Sequence, residues 1–196
     1  METSDRSEAE FKRAADLYCT YSDFNQAFSL MKKCAEGGHP SACFFLALMY
    51  RSGQGVVRDD ERYEYWLAQL LKIAEEGDSL AQWEVSCNIR WGNHFPLDTA
   101  RANYWLEKAA EGGHGEAQHL LAWYYEYGLY DYPVDSAASE HWYQRAFRQG
   151  NPETLYHLAL REFEDGKPNS GAVALLRRAA DMGFLQAVEV LNQYTR

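Results

Sequence analysis

The sequence lacks every long apolar run and every short signature that would assign an activity directly. No stretch approaching 18 apolar residues occurs in the 196-residue chain, so no transmembrane helix is predicted. The first eight residues contain no apolar core of the kind that a secretory signal requires. Nucleophile-elbow, dinucleotide-binding and phosphate-loop motifs are also absent. Catalysis is therefore not expected.

Cysteine and histidine are present in patterns that predict neither disulfides nor metal binding. The four cysteines, which show no CxxC or framework spacing, are Cys19, Cys34, Cys43 and Cys87. Free thiols of this kind favour a reducing cytoplasm. His39 and His114 each follow a Gly-Gly pair, which assigns them to a repeated structural position. His119 lies five residues after His114, on another face of a helix, so no metal and no cofactor are predicted.

Positive charge is scarce. The chain has 29 acidic and 19 basic residues, a net charge of −10. This balance argues against a nucleic-acid partner, whose phosphates would be repelled. It favours a protein partner with a basic or neutral surface, which the acidic chain would steer. The alternative is that the acidity serves solubility alone.

What the sequence does contain is a repeat. Five short phrases rich in Ala and Glu each end in a glycine, at Gly38, Gly77, Gly113, Gly150 and Gly183. The intervals between these glycines are 39, 36, 37 and 33 residues. A period of this length indicates stacked units, none of which can bury its apolar face alone.

Each unit is predicted to be a pair of helices. The first helix carries an apolar stripe at positions i, i+4 and i+8, as in Ala42, Leu46 and Tyr50, which lie on one helical face. The same stripe is predicted at Ala81/Val85/Ile89, Ala117/Leu121/Tyr125, Thr154/Leu158/Glu162 and Ala187/Leu191/Thr195. The second helix begins at an aspartate suited to an N-cap, at Asp59, Asp98 and Asp135. A tryptophan follows seven residues later in each case, and Trp66, Trp105 and Trp142 are predicted to be core residues.

The full pattern, with the turn Gly53-x-Gly55-Val56 and the closing Ala-Ala-Glu-x-Gly, resembles the Sel1-like repeat, a relative of the tetratricopeptide repeat. The resemblance implies an all-α, right-handed α-solenoid of about five helix pairs plus a C-terminal closing helix. A single domain over 1–196 is expected, because repeats of this kind stack on their neighbours. Its units are 7–38 (degenerate), 39–77, 78–113, 114–150 and 151–183, with the closing helix at 184–196.

The same resemblance implies that first helices line a concave surface. The residues expected to face a partner there are Phe44, Leu48, Arg51, Trp83, Cys87, Arg90, Trp91, His119, Trp123, Glu126, Tyr127, Tyr156, Leu160 and Phe163. Aromatic and arginine residues are enriched in interface hot spots. The alternative is that tight curvature packs these aromatics against neighbouring repeats.

Two classes of function follow. The leading one is a non-catalytic module that holds a protein partner in an aromatic-lined groove. It would act as an adaptor in a signalling or secretion complex, or as an inhibitor such as an immunity protein for a co-encoded bacterial toxin. The competing class is an enzyme, because Sel1-like repeats also occur in proteins with assigned hydrolase activity. No nucleophile and base are paired in this sequence to support it.

Overall fold

The computed structural model describes residues 2–21, 23–164 and 166–194, and the described chain is almost entirely helical. It divides into two compact units, Met1–Gly112 and Gly113–Arg196. The first unit contains α1 (Glu2–Cys19), α2 (Phe24–Glu36), α3 (Pro40–Ser52), α4 (Asp60–Glu75), α5 (Ser79–Trp91) and α6 (Thr99–Glu111). The second contains α7 (Gly115–Tyr127), α8 (Ser136–Arg148), α9 (Pro152–Arg161), β1 (Phe163–Glu164), β2 (Lys167–Pro168), α10 (Ser170–Asp181) and α11 (Leu185–Tyr194).

The helices pair as the repeat predicts. In the first unit α1 packs on α2, α3 on α4 and α5 on α6. In the second, α7 packs on α8 and α9 on α10, with α11 lying against α10 as a closing helix. The all-α repeat fold expected from the sequence is thus confirmed. Thr195, the last residue of the predicted α11 stripe, lies outside the described residues.

Side-chain caps start the second helices where the sequence placed them. The Arg62 amide donates to Asp59 Oδ1 at 2.9 Å, and the Arg101 amide donates to Asp98 Oδ1 at 2.9 Å. Asp135 accepts from the amides of Ala137 and Ala138. Each carboxylate satisfies an amide that has no partner within its own helix. The three predicted N-caps are confirmed.

The repeated histidines cap first helices. His39 Nδ1 accepts from the Ala42 amide at 3.4 Å, and His114 Nδ1 accepts from the Ala117 amide at the same distance. This explains why histidine recurs after the Gly-Gly pair, since an imidazole nitrogen can do what an aspartate oxygen does at the other N-caps.

Glycine ends the helices because the chain reverses there through positive φ. All five phrase-ending glycines have φ between 75° and 103°. Gly55 has a second constraint, because a Cβ at this position would lie 2.1 Å from the Phe24 carbonyl oxygen. Only glycine fits that turn. In the second unit the corresponding position is Tyr130, which takes φ 52° despite its side chain.

The core of the first unit is built from the predicted stripes and the tryptophans of the second helices. Ala42 and Leu46 are fully buried, and Trp66 and Trp105 are each only 7% exposed. Trp66 and Trp105 therefore lie in this core, as predicted.

The second unit departs from the prediction at Trp142, which is half-buried rather than buried. The neighbouring residue, Tyr143, is fully buried and fills the core in its place. The Arg145 guanidinium lies over the Trp142 ring at 4.9 Å, so one face of the indole is covered by a cation. The prediction that Trp142 is a core residue equivalent to Trp66 and Trp105 is thus wrong in degree.

A two-stranded hairpin in the second unit was not predicted. The two short strands pair antiparallel, with Phe163 opposite Pro168, and Gly166 at φ 75° makes the turn between them. The Tyr194 hydroxyl donates to the Gly166 carbonyl oxygen at 3.0 Å, which ties the hairpin to α11. The hairpin occupies the connection between α9 and α10.

Candidate partner-binding surface

The predicted partner-facing residues of the first unit differ widely in exposure. Phe44, Leu48 and Trp83 are half-buried, whereas Trp91 is 62% exposed. Arg51 is exposed at the end of α3. We call Phe44, Leu48, Arg51, Trp83 and Trp91 the first-unit surface.

Arg90 does not reach solvent. Its side chain is 7% exposed and its Nη2 donates to Asn103 Oδ1 at 2.7 Å, within the α5–α6 pair. The sequence predicts that Arg90 faces a partner alongside Arg51. The structure assigns Arg90 to the interior, and of these two arginines only Arg51 is accessible.

Arg51 is held in place by two aromatic neighbours. Its Nη1 donates to the Tyr63 hydroxyl at 2.9 Å, and its guanidinium lies 5.1 Å from the centre of the Tyr63 ring. His94 Nδ1 lies 3.4 Å from Arg51 Nη1 and 3.2 Å from the Tyr63 hydroxyl. The Phe44 ring meets the His94 ring edge to face at 5.2 Å. The position of the Arg51 guanidinium is therefore set by its contacts with the Tyr63 and His94 side chains.

Burial, and then the charge of Arg51, lower the pKa of His94 below its ordinary value. The imidazole is thus neutral at pH 7, and its lone pair is available to Arg51 and Tyr63. Burial shifts the pKa of Cys87 in the opposite direction, because the charged form of a thiol is the anion. The thiol pKa rises to about 12, so Cys87 is not a reactive thiolate.

The predicted residues of the second unit form a tighter group. Trp123 is 39% and Tyr127 54% exposed, and their rings meet edge to face at 5.8 Å along one face of α7. His119, Glu126 and Tyr156 are half-buried. Leu160 is 40% exposed, and Phe163 lies half-buried in β1 against the Tyr194 ring. We call His119, Trp123, Glu126 and Tyr127 the second-unit surface.

Two residues of this surface, Glu126 and His119, belong to a polar cluster that connects three helices. The Tyr143 hydroxyl of α8 donates to Glu126 Oε2 of α7 at 2.7 Å. His157 Nε2 of α9 lies 3.2 Å from the same carboxylate oxygen. The His157 ring stacks on the Tyr143 ring at 4.7 Å. His119 Nδ1 lies 3.0 Å from the Thr154 hydroxyl.

Both histidines of the cluster are held neutral. Burial, reinforced by the neighbouring His157, lowers the pKa of His119 to about 4. Burial also lowers the pKa of His157, with Arg161 acting in the same direction and Glu126 against it. Burial and the bond to Glu126 raise the pKa of Tyr143. Neither histidine therefore neutralises the Glu126 carboxylate at pH 7.

The sequence did not point to four of these residues. Tyr63, His94, Tyr143 and His157 all complete the clusters around Arg51 and Glu126, yet each comes from a different segment than the residue it contacts. The position of Tyr143 directly after a repeat tryptophan was the one available signal. Spacing along a single helix carries no information about such cross-helix contacts.

Within the described residues, no group of three His, Cys, Asp or Glu side chains is arranged to hold a metal ion. None of the helices in that part of the chain combines the length and the apolar character needed to cross a membrane.

The sequence profile of the Sel1 repeat matches residues 17–39, 40–69, 79–114, 115–151 and 152–184. The protein therefore belongs to the Sel1 repeat family. Its structure is similar to that of a Sel1 repeat protein from Oxalobacter formigenes, at 31% identity and a TM-score of 0.65. The match covers 98% of this chain and 57% of that one.

Two further solved structures share the fold at lower identity. A protective antigen of uropathogenic Escherichia coli matches at 23% identity and a TM-score of 0.58, over 97% of this chain and 42% of its own. An immunity protein of Pseudomonas aeruginosa matches at 21% identity and a TM-score of 0.63, over 92% and 66%. The chain thus spans about half the length of the first two relatives. Sel1 repeats act in protein–protein interaction, and proteins built from them are typically non-catalytic scaffolds.

Proposed function

We propose that the protein is a non-catalytic module that binds a partner protein through exposed aromatic residues of its first helices. The observation that carries this proposal is the Trp123–Tyr127 pair on α7, exposed beside the Glu126 carboxylate. Large aromatic side chains held in water at one helical face lose that exposure when a partner covers them, and such residues dominate interface energetics.

Charge defines the partner that this surface suits best. Glu126 is the charged group of this surface, and its carboxylate accepts from the neutral Tyr143 hydroxyl. The cation near this cluster, Arg161, is paired with Glu140 at 3.5 Å. Flanking aromatic faces favour a cation for the same electrostatic reason. The second-unit surface therefore suits a lysine or arginine of the partner, and the net charge of −10 would speed the approach of a basic protein.

An inhibitory role is the form of this function that we propose to test first. The fold is one that a bacterial immunity protein also uses, and a rigid repeat that covers a toxin surface needs no catalytic group of its own. An adaptor that holds its partner without changing its activity is the alternative, and it would use the same surface. An enzyme is disfavoured because none of the described clusters pairs an exposed nucleophile with a base.

The experiment pairs the protein with the product of a toxin-like gene encoded beside its own. Affinity is measured by calorimetry for the wild type and for Trp123→Ala and Tyr127→Ala, with growth rescue measured in parallel. Each substitution is expected to weaken binding about thirtyfold, the effect of losing a hot-spot residue. Tyr65→Ala and Tyr104→Ala, which remove aromatics 48% and 53% exposed on second helices, are matched controls expected to change affinity less than about threefold.

The outcomes separate the alternatives. Loss of affinity in the α7 variants but not in the controls supports the proposed surface, and loss of growth rescue in parallel supports inhibition. Tight binding that leaves the toxin fully active at a one-to-one ratio would identify an adaptor. Equal losses in both sets of variants would contradict the surface.

A further inference from the structure

Arg51 is a surface cation without an acidic partner among the described residues. The charge of Arg51 acts on Asp60, whose pKa is lowered first by its hydrogen bond to Arg58 and to a smaller extent by Arg51. Arg58 occupies that carboxylate with three contacts of 3.0–3.1 Å. The described contacts of the Arg51 guanidinium are instead to the neutral Tyr63 and His94.

Arg51 is also arranged in advance for binding. Arg51 Nη1 is fixed by its hydrogen bond to the Tyr63 hydroxyl. The guanidinium also lies over the ring of Tyr63, which is itself only 7% exposed. A guanidinium offers five N–H donors, and only Nη1 is engaged by the contacts described. Because its orientation is already set, less side-chain entropy is lost when it binds a ligand.

The surroundings of Arg51 are apolar on one side. Phe44 and Leu48 precede it by seven and three residues on α3, which places all three on neighbouring positions of one helical face. Both are half-buried, and Phe44 also packs on His94. A group bound at Arg51 is therefore bordered by apolar surface as well as by the cation.

We propose that Arg51 binds a carboxylate carried by an acidic side chain of the partner protein, with an adjacent apolar residue of that partner packing on Phe44 and Leu48. Planar carboxylates match the donor fork of a guanidinium, and an uncommitted arginine in an acidic chain is the complement of an acidic residue. The net charge of −10 repels polyanions at longer range, so the charges favour a single carboxylate on an otherwise basic or neutral partner. This inference rests on the proposed function and assigns a second, oppositely charged contact to it.

Two capped peptides test the assignment on the full chain. Acetyl-Leu-Glu-Leu-amide and acetyl-Leu-Gln-Leu-amide differ only in the charge of the central residue. Binding is followed by NMR through the side-chain signals of Arg51 and the imidazole of His94. The glutamate peptide is expected to bind about tenfold more tightly, as for a charge-assisted hydrogen bond. Its carboxylate also offsets the charge of Arg51, so the pKa of His94 should rise on binding.

Substitutions locate the effect. Arg51→Gln is expected to remove the preference for the glutamate peptide, and Arg51→Lys is expected to keep only part of it, because an ammonium lacks the planar fork. Arg58→Gln, which removes a cation already paired with Asp60, is the matched control and should keep the full preference. Equal binding of the two peptides, absence of binding, or an unchanged preference in Arg51→Gln would each overturn the assignment.

The complete partner provides a separate readout. If Trp123→Ala weakens the complex whereas Arg51→Gln leaves its affinity unchanged, the binding module stands and the Arg51 contact is wrong. If Arg51→Gln weakens the complex whereas Trp123→Ala and Tyr127→Ala leave its affinity unchanged, the Arg51 contact stands and the proposed aromatic surface is wrong.

Discussion

The two units place residues of opposite charge at the same position of their repeats. Arg51 in the first unit and Glu126 in the second each follow the first alanine of their stripe by nine residues. Each is bonded to a tyrosine of the next helix, but in opposite directions: Arg51 donates to the Tyr63 hydroxyl, whereas the Tyr143 hydroxyl donates to Glu126. Each also has a neutral histidine beside it, His94 or His157.

This comparison shows that one repeat position can carry either sign of charge in the same chain. A tyrosine hydroxyl can serve either sign of charge because it both donates and accepts. Tyr63 and Tyr143 nevertheless occupy different positions in their helices, four and eight residues after the N-cap aspartate. The same repeat position carries an arginine in one unit and a glutamate in the other, each bonded to a tyrosine hydroxyl.

The largest expected difference between the units concerns the tryptophans of the second helices. Trp66→Ala and Trp105→Ala should each lower the free energy of unfolding by about 3–5 kcal/mol, because buried indoles leave large cavities. Trp142→Ala should cost about 1–2 kcal/mol, since this half-buried ring loses less contact. Chemical denaturation measures all three, and a loss at Trp142 equal to that at Trp105 would contradict the distinction.

The second-largest expected difference in stability concerns the turns that follow the first helices, at Gly55 and Tyr130. Gly55→Ala should cost about 2–3 kcal/mol, because it combines positive φ with a Cβ against the Phe24 carbonyl oxygen. Tyr130→Gly at the corresponding position should change stability by less than about 1 kcal/mol, because relief of its left-handed backbone offsets the lost ring contact with Tyr124. Thermal and urea unfolding of both variants would check the contrast. A mild effect at Gly55 would mean that the turn can shift away from α2.

Acidification should weaken the second unit through its histidines. A histidine whose pKa is lowered to about 4 in the folded state binds protons more readily when unfolded, so stability is lost as pH falls from about 6.5 towards 4. His119 alone should cost about 2 kcal/mol at pH 5 relative to pH 7.

The depressed pKa of His157 adds to this loss in the same direction. Urea unfolding at both pH values measures the effect. His119→Gln should flatten the pH dependence, and His141→Gln, at an exposed position of α8, serves as the control. An unchanged slope in His119→Gln would show that His119 is solvated.

The smallest expected effect concerns the two tyrosine hydroxyls. Tyr143→Phe should cost about 1.5 kcal/mol, because it leaves the half-buried Glu126 carboxylate without its donor. Tyr63→Phe should cost only about 0.5 kcal/mol, because the exposed Arg51 can turn to water. Equal costs in urea unfolding would mean that the two clusters are energetically alike.

Much of the fold was predictable because it depends on local signals. Aspartates at 59, 98 and 135 bond to amides three residues away or less, and glycines such as Gly77 and Gly183 take positive φ at helix ends. Such interactions involve residues close in the chain, so spacing alone reveals them. The half-buried Trp142 and the hairpin at Phe163 escaped prediction because they depend on what packs around them.

The set of partner-facing residues remains a prediction, and the structure shortens this set by showing that Arg90 is buried. The sequence could list the aromatic and arginine residues of the first helices, but it could not distinguish Arg90, 7% exposed, from the accessible Arg51. Both follow their stripe in the same way. The difference arises from Asn103 on the next helix, which accepts from Arg90 within the pair.

By itself, then, the sequence determined the repeat, the helix pairs, the caps and the family, because each of these is a periodic or short-range property. Only the tertiary structure decided which charged residues face solvent and which aromatic rings fill the core. It also decided which histidines are desolvated enough to stay neutral. Those outcomes follow from contacts between helices, and burial, which sets both exposure and pKa, is a property of the assembled fold rather than of any segment.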